Sequence, residues 1–525
     1  MKTIAYFGGL ATLIVAAASC STGSVDETNQ RDETNQGNET TQGSEESVTE
    51  TTGAKAACSG GRVHCYAMIK TERGVIKQTA APSGIGATDL ADAYKLNTAL
   101  DPHATVAIVD AFGYPNAESD LATYRSQYGL PPCTVANGCL TIVNQRGATS
   151  PLPPPPPSGD DWTAETALDL DMASAACPKC KLLLIQADDD QGLGLFIAQA
   201  TAARMGAAVV SDSWGTSETP SDLATTYEHF FAQPNIGIFV ASGDSGYDNG
   251  NQGPDYPSTS AYVTAVGGTN LTRQTGGRGW VEKAWGQSFG GGAGGSACGL
   301  SVPKPAWQGN TACSFRAACD VAAVGDPATG PAVYHKASGG WISIGGTSAA
   351  APLVAGIYAL TGHGKAAPSF AYGHASAYFD VTSGSNGTCG NVLCKAGAGW
   401  DGPTGIGTPN GAALAATTCT PSCAGRTCGN DGCGGSCGNC SGTDYCSATG
   451  SCIPACAPSC AGKTCGNDGC GGSCGSCPSG QACGADNHCG ACTPQCQSGS
   501  CGGQDGCGGT CQCANGQSCF QGFCF

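Results

Sequence analysis

Basic residues are scarce in this 525-residue chain, and charged residues as a whole are few. Lys and Arg number 23 against 40 Asp and Glu, which gives a net charge of −17, and charged residues make up 12%. Nucleic-acid-binding proteins need a basic surface, so this balance argues against that class. Long apolar runs are also missing after the N-terminus, and the sequence therefore predicts no internal membrane span.

Cysteine, by contrast, is abundant, with 36 copies in the chain. This number indicates an oxidising compartment and many disulfides, or alternatively metal binding. Before residue 419 the close spacing in sequence suggests the pairs Cys58/Cys65, Cys133/Cys139, Cys177/Cys180 and Cys389/Cys394. Cys298, Cys313 and Cys319 are left open, with one odd thiol among them if Cys20 is lipidated. Twelve cysteines precede residue 419 and 24 lie from Cys419 to Cys524, so we expect the main domain boundary near residue 418. The length allows roughly two to four domains.

The N-terminus has the pattern of an export signal over residues 1–20. Lys2 supplies a positive charge, and an apolar run from Ile4 to Ala18 is too short for a membrane span. The small residues before Cys20 resemble a bacterial lipobox, which predicts a lipid anchor at that cysteine, and ordinary cleavage after a small residue is the alternative. We therefore expect an exported protein that is extracellular or held at the outer membrane or cell surface.

Acidic repeats fill residues 21–57, where the sequence Asp26 to Gln30 recurs as Asp32 to Gln36. Such a segment cannot bury enough apolar surface to offset the entropy lost on ordering. It is predicted to be a disordered linker between the signal and a folded body.

Residues 58–417 are predicted to form an α/β body in which helices cover a parallel sheet. The buried-strand patterns lie at 105–110, 182–186, 207–211 and 236–241, and helical stretches lie at 193–205 and 221–231. Alternation of strands and helices favours a parallel sheet. The functional groups of such sheets gather at the carboxyl ends of the strands.

A serine motif, Gly-Gly-Thr-Ser-Ala-Ala-Ala-Pro, spans residues 345–352. Its glycines allow a tight turn, and Ser348 then lies at a helix start, where free N–H groups point outward. This position suits a nucleophile, because its own N–H can help to hold an oxyanion. A helix N-cap is the plainer interpretation of the same serine.

Carboxylates rather than a histidine are the candidates for activating this serine. None of the seven histidines lies in a His-Gly-Thr-His type motif, so a Ser–His–Asp triad is unsupported. Glu165 and Asp169 share one helix face, where their mutual repulsion should raise one pKa, although a solvated acidic face is the alternative. Asp244 follows a strand in Ser-Gly-Asp-Ser-Gly and can donate a hydrogen bond if it stays protonated, although an ordinary turn is the alternative.

A glycine-rich segment near the end of the body offers oxygen ligands for a cation. Asp380-Val381 is followed by Ala-Gly-Ala-Gly-Trp-Asp at 396–401 and then by further glycines and prolines. Calcium takes roughly six to eight oxygen ligands, including carboxylates and backbone carbonyls. The segment predicts one structural Ca²⁺, with a glycine-rich turn as the alternative.

Together these motifs resemble the sedolisin family of serine–carboxyl peptidases, which have a subtilisin-like fold, over about residues 80–415. The resemblance implies that Ser348 is the nucleophile, Glu165 the base and Asp169 its orienting partner. It implies that Asp244 stabilises the oxyanion, and less strongly that Asp110 is an additional acid behind Glu165.

The resemblance also implies binding residues. For the substrate cleft these are the backbones of Ser213, Trp214 and Gly215; for Ca²⁺ they are the side chains of Asp380 and Asp401 and the carbonyls of Val381, Gly397 and Gly399. Members of the family usually carry a large pro-domain that blocks the site, whereas only the acidic linker and roughly twenty residues precede this body. Control of latency is therefore open.

The function expected from these features is that of an exported serine endopeptidase that acts on protein or peptide substrates at acidic pH through an acyl-enzyme. A carboxylate base works best near its own pKa, and Asp244 must keep its proton, which is why we expect an acidic optimum. A tripeptidyl-type exopeptidase is one alternative. A non-catalytic surface scaffold or adhesion protein is the other.

Residues 418–525 consist of three Cys-rich repeats, at 418–454, 455–490 and 491–525. Each holds eight cysteines, and the spacings of the first two repeats are identical. Since so few apolar residues are present, disulfides are expected to supply the stability, and a metal–thiolate store is the alternative. Repetition suits a stalk or a binder of a cell-surface partner.

Overall fold

The computed structural model describes residues 52–417, apart from 219–222, 234, 288–291 and 310, and short stretches between 421 and 524. The predicted signal peptide, Cys20 and the linker up to residue 51 lie outside the described residues, as does most of the third repeat. The predicted end of the linker was wrong, because Thr52–Ala56 form a strand. This strand finds its backbone partners in Met68–Glu72, and the composition of the segment does not reveal that pairing.

The strands of the body are β1 (Thr52–Ala56), β2 (His64–Cys65), β3 (Met68–Glu72), β4 (Val75–Ile76), β5 (Thr105–Ala111), β6 (Leu140–Asn144), β7 (Lys181–Ala187), β8 (Val209–Asp212), β9 (Trp214–Ser217), β10 (Gly237–Ala241), β11 (Ser245–Tyr247), β12 (Asp255–Tyr256), β13 (Thr264–Arg273), β14 (Trp280–Ala284), β15 (Ala293–Pro303), β16 (Phe315–Ala318), β17 (Val321–Val324), β18 (Ala332–His335), β19 (Gly340–Gly345), β20 (Tyr378–Phe379) and β21 (Thr408–Pro409). The Cys-rich region contributes β22 (Tyr445–Cys446), β23 (Cys452–Ile453), β24 (Gln481–Cys483), β25 (Cys489–Ala491), β26 (Cys519–Phe520) and β27 (Phe523–Cys524).

The α-helices are α1 (Ala87–Ala93), α2 (Ala117–Gln127), α3 (Trp162–Ala176), α4 (Leu193–Arg204), α5 (Leu223–Phe231), α6 (Asp248–Asn251), α7 (Thr347–Leu360), α8 (Phe370–Gly373) and α9 (Gly411–Ala415). Short 3-10 helices lie at Ala306–Gln308, Pro327–Thr329, Lys336–Ser338 and Ala375–Ala377. Among the described residues, no helix combines the length and the apolar character that crossing a membrane requires.

The central sheet has the strand order β14-β13-β10-β8-β5-β7-β6, and β17 also pairs with β13. Its neighbours are parallel except for β13 and β14, which are antiparallel. The four strands expected from the sequence are β5, β7, β8 and β10, and they lie side by side. The predicted α/β fold with a parallel sheet is therefore confirmed.

Helices α3 and α7 pack against each other, and α7 also covers β8, β10, β13 and β17. All residues of α7 are buried, which explains why it is apolar on every side. At Gly356 the two helix backbones come so close that an added Cβ would lie 2.5 Å from the Cβ of Ala176. This crossing fixes the two helices that carry the serine and the acid pair relative to each other.

A second, antiparallel sheet brings the N-terminal part of the described chain to the same region. Its order is β1-β3-β19-β18, with β4 added on β3. Residues 52–72, called the arm here, form a hairpin of β1 and β3. The connecting residues 57–67, called the arm loop, include β2, which pairs antiparallel with β9.

Most disulfides of the body join cysteines that lie close together in the sequence, as expected. All four predicted close pairs are bonded, namely Cys58–Cys65, Cys133–Cys139, Cys177–Cys180 and Cys389–Cys394. The three cysteines left open resolve into a Cys298–Cys313 bridge and a free, buried Cys319.

In the Cys-rich region the described bridges occupy equivalent places in the first two repeats. They are Cys423–Cys437, Cys428–Cys446 and Cys440–Cys452 in the first, and Cys460–Cys474 and Cys477–Cys489 in the second. Sulfurs joined in a disulfide are not thiolates and do not bind metal as thiolates. These bridges support the disulfide interpretation over the metal store.

Candidate active site

Ser348 is the second residue of α7 and is completely buried. Strand β19 ends at Gly345, and Gly346 turns the chain into the helix with a φ of 97°, a conformation that favours glycine. An added Cβ at Gly346 would lie 1.7 Å from the carbonyl oxygen of Tyr66. The glycines of the motif are thus required both by the turn and by the close approach of another chain segment.

Glu165 and Asp169 lie one turn apart on α3, which Asp161 caps by accepting a hydrogen bond from Ala164 N. The hydroxyl of Ser348 donates to Glu165 Oε2 over 3.0 Å. Asp169 accepts a hydrogen bond from Ser213 Oγ at 2.9 Å, and Glu165 is among the groups that raise its pKa. The structure thus brings the three expected residues together.

Both carboxyl groups are buried, and this raises their pKa values. Burial is the largest cause for Glu165, followed by the charge of Asp110, while the hydrogen bond from Ser348 acts in the opposite direction. For Asp169 the causes are again burial and Asp110, followed by Glu165. Because like charges in a buried site cannot all ionise, the group holds protons at a pH where exposed carboxylates have lost them.

Asp110 near the end of β5 and Asp212 at the end of β8 extend this acidic group. Burial raises the pKa of Asp110 to about 7. Burial and then the charge of Asp110 raise the pKa of Asp212. The sequence analysis did not single out Asp212, although this residue directly follows a predicted strand. In the structure its strand pairs with the one that carries Asp110.

Asp244 lies just beyond β10 and faces the first turn of α7. Its Oδ1 accepts hydrogen bonds from the backbone N–H of Thr347 at 2.7 Å and from the Thr347 hydroxyl at 2.9 Å. Its Oδ2 has no hydrogen-bond partner within the described part of the chain. Burial raises the pKa of Asp244 to about 8, so at acidic pH the carboxyl group is protonated and this oxygen can donate a hydrogen bond to an oxyanion.

Residues 64–66 of the arm loop lie along the backbone of Ser213, Trp214 and Gly215, the segment expected to line a substrate cleft. His64 pairs with Gly215 and Cys65 with Trp214, and Tyr66 N–H donates to Ser213 O at 3.2 Å. The Trp214 side chain turns away from this segment and is buried, with its indole N–H donating to Val109 O.

The expected calcium residues lie together in one loop region. Gly399 N–H donates to Asp380 at 3.0 Å, and Gly397 N–H donates to Asp401 at 2.9 Å. Asp401 is fully buried, and the nearby charge of Asp380 adds to the effect of burial in raising its pKa to about 7. Neither carboxylate forms an ion pair with Lys or Arg among the described residues. Asp380 and Asp401 are thus two neighbouring carboxylates without a basic partner, and such a pair fits a divalent cation.

Comparison with known proteins agrees with this geometry. Residues 163–372 match the subtilase family. Kumamolisin of Bacillus sp. (strain MN-32) is 32% identical over 365 residues, covering 64% of this chain and 64% of kumamolisin. Sedolisin of Pseudomonas sp. (strain 101) is 28% identical over 396 residues, covering 67% of this chain and 64% of sedolisin.

A solved structure of Pseudomonas sedolisin, a serine-carboxyl proteinase complexed with two molecules of pseudo-iodotyrostatin, also matches. It superposes with a TM-score of 0.54 at 27% identity and covers 64% of this chain and 98% of that chain. The chain thus spans slightly less than two thirds of the length of the curated relatives but nearly all of the solved one.

Residues 163–372 are therefore a subtilase-family domain with a subtilisin-like fold. Within this class the chain is a homologue of kumamolisin and of sedolisin, and the Pseudomonas sedolisin of the solved structure is a serine-carboxyl proteinase. The resemblance to the sedolisin family that its motifs indicated is confirmed.

Proposed function

We propose that the chain is a serine–carboxyl peptidase that hydrolyses protein or peptide substrates with Ser348 as nucleophile. One observation carries the proposal. Glu165 Oε2 lies 3.0 Å from Ser348 Oγ and 2.9 Å from the backbone nitrogen of Ala67, in a segment that lies in the cleft as a substrate would. A single carboxylate oxygen therefore contacts both the nucleophile and an amide nitrogen of the type that leaves.

The reaction follows from these contacts. Glu165 accepts the Ser348 proton as Oγ attacks the peptide carbonyl, and protonated Asp244 donates to the oxyanion. Glu165 then delivers the proton to the leaving amine, and water hydrolyses the acyl-enzyme. Asp169 orients Glu165 and is itself held by the Ser213 hydroxyl.

Both ends of the pH profile follow from the two carboxyl groups. Catalysis needs Glu165 ionised, and its raised pKa sets the limb on the acidic side. It also needs Asp244 protonated, so activity is lost as the pH rises through the pKa of about 8. Because burial is the largest cause of both raised pKa values, opening the cleft lowers the pKa of Glu165 as well as that of Asp244 and moves the whole profile to lower pH. An enzyme that acts in acid, with an alkaline limb at or below pH 8, is the expected result.

An endopeptidase is the mode that the cleft supports. The segment in the cleft continues beyond three residues on the N-terminal side of Tyr66, where Val63 N–H donates to Asp190 O at 2.9 Å. On the other side, Met68 and Ile69 pair with Gly345 and Ile344 of β19. A chain therefore fits through the site in both directions, whereas a tripeptidyl exopeptidase must stop at the third residue.

The test is hydrolysis of one decapeptide with a free N-terminus and of the same decapeptide with an N-acetyl group, at pH 3 to 8. We expect both to be cut internally and Ser348→Ala to cut neither. Release of tripeptides from the free peptide alone would support the exopeptidase alternative. A folded protein without activity at any pH would support the surface scaffold.

We further propose that the loop at Asp380 and Asp401 holds one Ca²⁺, with the carbonyls of Val381, Gly397 and Gly399 completing the site. The buried Asp401 and its neighbour Asp380 supply charge for it. The ion would crosslink the loop to the body and stabilise the fold.

Export, lipidation of Cys20 and a cell-surface partner of the Cys-rich repeats remain proposals from the sequence. The disulfides fit an oxidising compartment. Membrane fractionation of cells that express the full chain or Cys20→Ser tests the anchor, and release of the variant from the membrane is the expected result.

A further inference from the structure

His335 is completely buried and ends β18, the strand that pairs with β19. Strand β19 leads through Gly346 into α7, so this histidine belongs to the hairpin that precedes Ser348. Its ring, however, contacts a different element. The Nε2 atom of His335 lies 3.0 Å from Thr163 Oγ1, on the helix α3 that carries the acid pair.

The positions of the protons follow from the partners of Thr163. Its hydroxyl has one proton and donates it to Asp161 Oδ1 over 2.6 Å, so its oxygen accepts the N–H of His335 Nε2. Nδ1 of the same ring lies 2.8 Å from Ser338 Oγ, which donates to it while the imidazole is neutral. Asp161 Oδ1 in turn accepts a hydrogen bond from Ala164 N at 3.2 Å. A continuous line of hydrogen bonds therefore joins His335 to the first turn of α3.

The first turn of α3 lies well away from the place where this helix crosses α7. At Gly356 of α7, an added Cβ would lie 2.5 Å from Ala176 Cβ and 3.3 Å from Ala173 O. At about 1.5 Å of rise per residue, Glu165 lies roughly 12 Å along the helix from Ala173. A tilt of about 5° around the crossing would therefore move Glu165 by roughly 1 Å relative to the serine.

A second contact to the first turn comes from the arm loop. Asp161 N–H donates to Ala57 O at 3.0 Å. The arm loop has to move before a substrate can enter, and this contact is then not available to hold the helix. The link from His335 belongs to the body of the protein and stays in place.

We propose that His335 is a positioning residue that holds the first turn of α3, so that Glu165 stays within hydrogen-bond distance of Ser348 Oγ. The inference rests on the proposed function and adds a residue to the same site. His335 acts through Thr163 and Asp161 and does not take part in proton transfer. A displacement of about 1 Å can cost up to roughly 100-fold in rate, so loss of this link should lower kcat. KM should be kept, because the cleft backbone at 213–215 is not part of the link.

The experiment measures kcat and KM of the purified full chain on the decapeptide, at the optimum pH of the wild type and at a temperature where every variant is folded. We expect His335→Leu and Thr163→Val each to lower kcat by at least about tenfold, with KM within about twofold of the wild type. His335→Gln keeps an N–H donor in place of Nε2 and should restore kcat to within about threefold of the wild type. His363→Leu is the matched control, since its Nε2 contacts Leu414 O in α9 at 2.9 Å, and it should keep kcat even if its melting temperature falls.

A double-mutant cycle completes the test. His335→Leu combined with Thr163→Val should lose no more than about twofold in kcat beyond the slower single variant, because both changes break the same link. Losses that multiply would overturn an action through Thr163. A folded His335→Leu with the wild-type kcat, or a His335→Gln as slow as His335→Leu, would overturn the inference and leave the proposed function standing. If His335→Leu does not fold, Thr163→Val decides alone, and a wild-type kcat in that variant overturns the inference. A folded wild-type chain that hydrolyses no peptide would overturn the proposed function and this inference with it.

Discussion

The charge of Asp110 acts on Glu165, although the two residues come from different elements, the strand β5 and the helix α3. It is the second cause, after burial, of the raised pKa of Glu165, and it acts in the same way on Asp169 and Asp212. The parallel sheet creates this relationship, because β5 packs against the helix that carries the acid pair and Asp110 lies near the carboxyl end of that strand. Asp110 therefore raises the pKa of Glu165, the proposed base, from a neighbouring strand.

Asp110→Asn should shift the acidic limb of the pH–rate profile to lower pH. Removing a negative charge lowers the pKa of Glu165, so this group ionises at a lower pH and the acidic limb of the kcat/KM profile should move in that direction. Asp212→Asn is the matched control with a smaller shift, since Asp212 is not among the causes that act on Glu165. An unchanged limb in Asp110→Asn, with the melting temperature kept, would contradict the coupling.

Asp244→Asn should abolish the loss of activity on the alkaline side. An amide donates a hydrogen bond at any pH, whereas the carboxyl group donates only below its pKa, which burial raises to about 8. We expect kcat/KM in acid to fall by roughly tenfold or less for asparagine and by about 100- to 1,000-fold for Asp244→Ala. If Asp244→Asn kept the wild-type alkaline limb, another group would have to set it.

Gly346→Ala should remove activity by blocking the place of the reacting carbonyl. The new Cβ would collide with the carbonyl oxygen held there and with Asp244 Oδ2, and we expect kcat/KM to fall at least about 100-fold. Gly362→Ala is the matched control: its φ is also positive, at 82°, but no other atom lies within 4 Å of the added Cβ among the described residues. Gly362→Ala should lose about 1 to 2 kcal/mol of stability in denaturant titration and keep its activity. Gly346→Ala should lose more stability than this, because its Cβ also collides with the backbone at Tyr66, and it alone should lose activity.

Chelation of calcium should lower the melting temperature of the peptidase by several degrees, and added Ca²⁺ should restore it. An ion at 100 times its dissociation constant contributes about 2.7 kcal/mol. Asp401→Asn should melt at the lower temperature with or without Ca²⁺, while Asp189→Asn, at an exposed acid elsewhere, should keep the response. A wild-type chain that melts alike in chelator and in Ca²⁺ would rule the site out.

The sequence analysis found the candidate side chains that follow a strand, begin a helix or share one helix face. Ser348, Glu165, Asp169 and Asp244 all lie in local patterns, and the fold brings them where those patterns predict. Asp212 could have been found by the same reasoning, since it directly follows the strand predicted at 207–211.

The occupant of the cleft could not be predicted in this way. Tyr66 pairs with residues around 213, far away along the chain, and only the three-dimensional pairing of β2 with β9 shows the contact. Asp255 accepts a hydrogen bond from the Tyr66 hydroxyl. The sequence did not point to this residue either, because a single Asp before Tyr-Pro is typical of many turns. The partner of Cys298 also needed the structure, because local spacing left three cysteines open.

The burial of α7 decides which parts of the site can move. The serine lies on a helix enclosed by α3 and by four strands, and it therefore shares the rigidity of the whole body. A substrate can therefore reach the serine only if the segments that lie over it move, while the oxygen atoms of the site keep their positions relative to one another. Heat should therefore inactivate the enzyme only at the temperature where the entire sheet unfolds, so that thermal inactivation and loss of tertiary structure coincide.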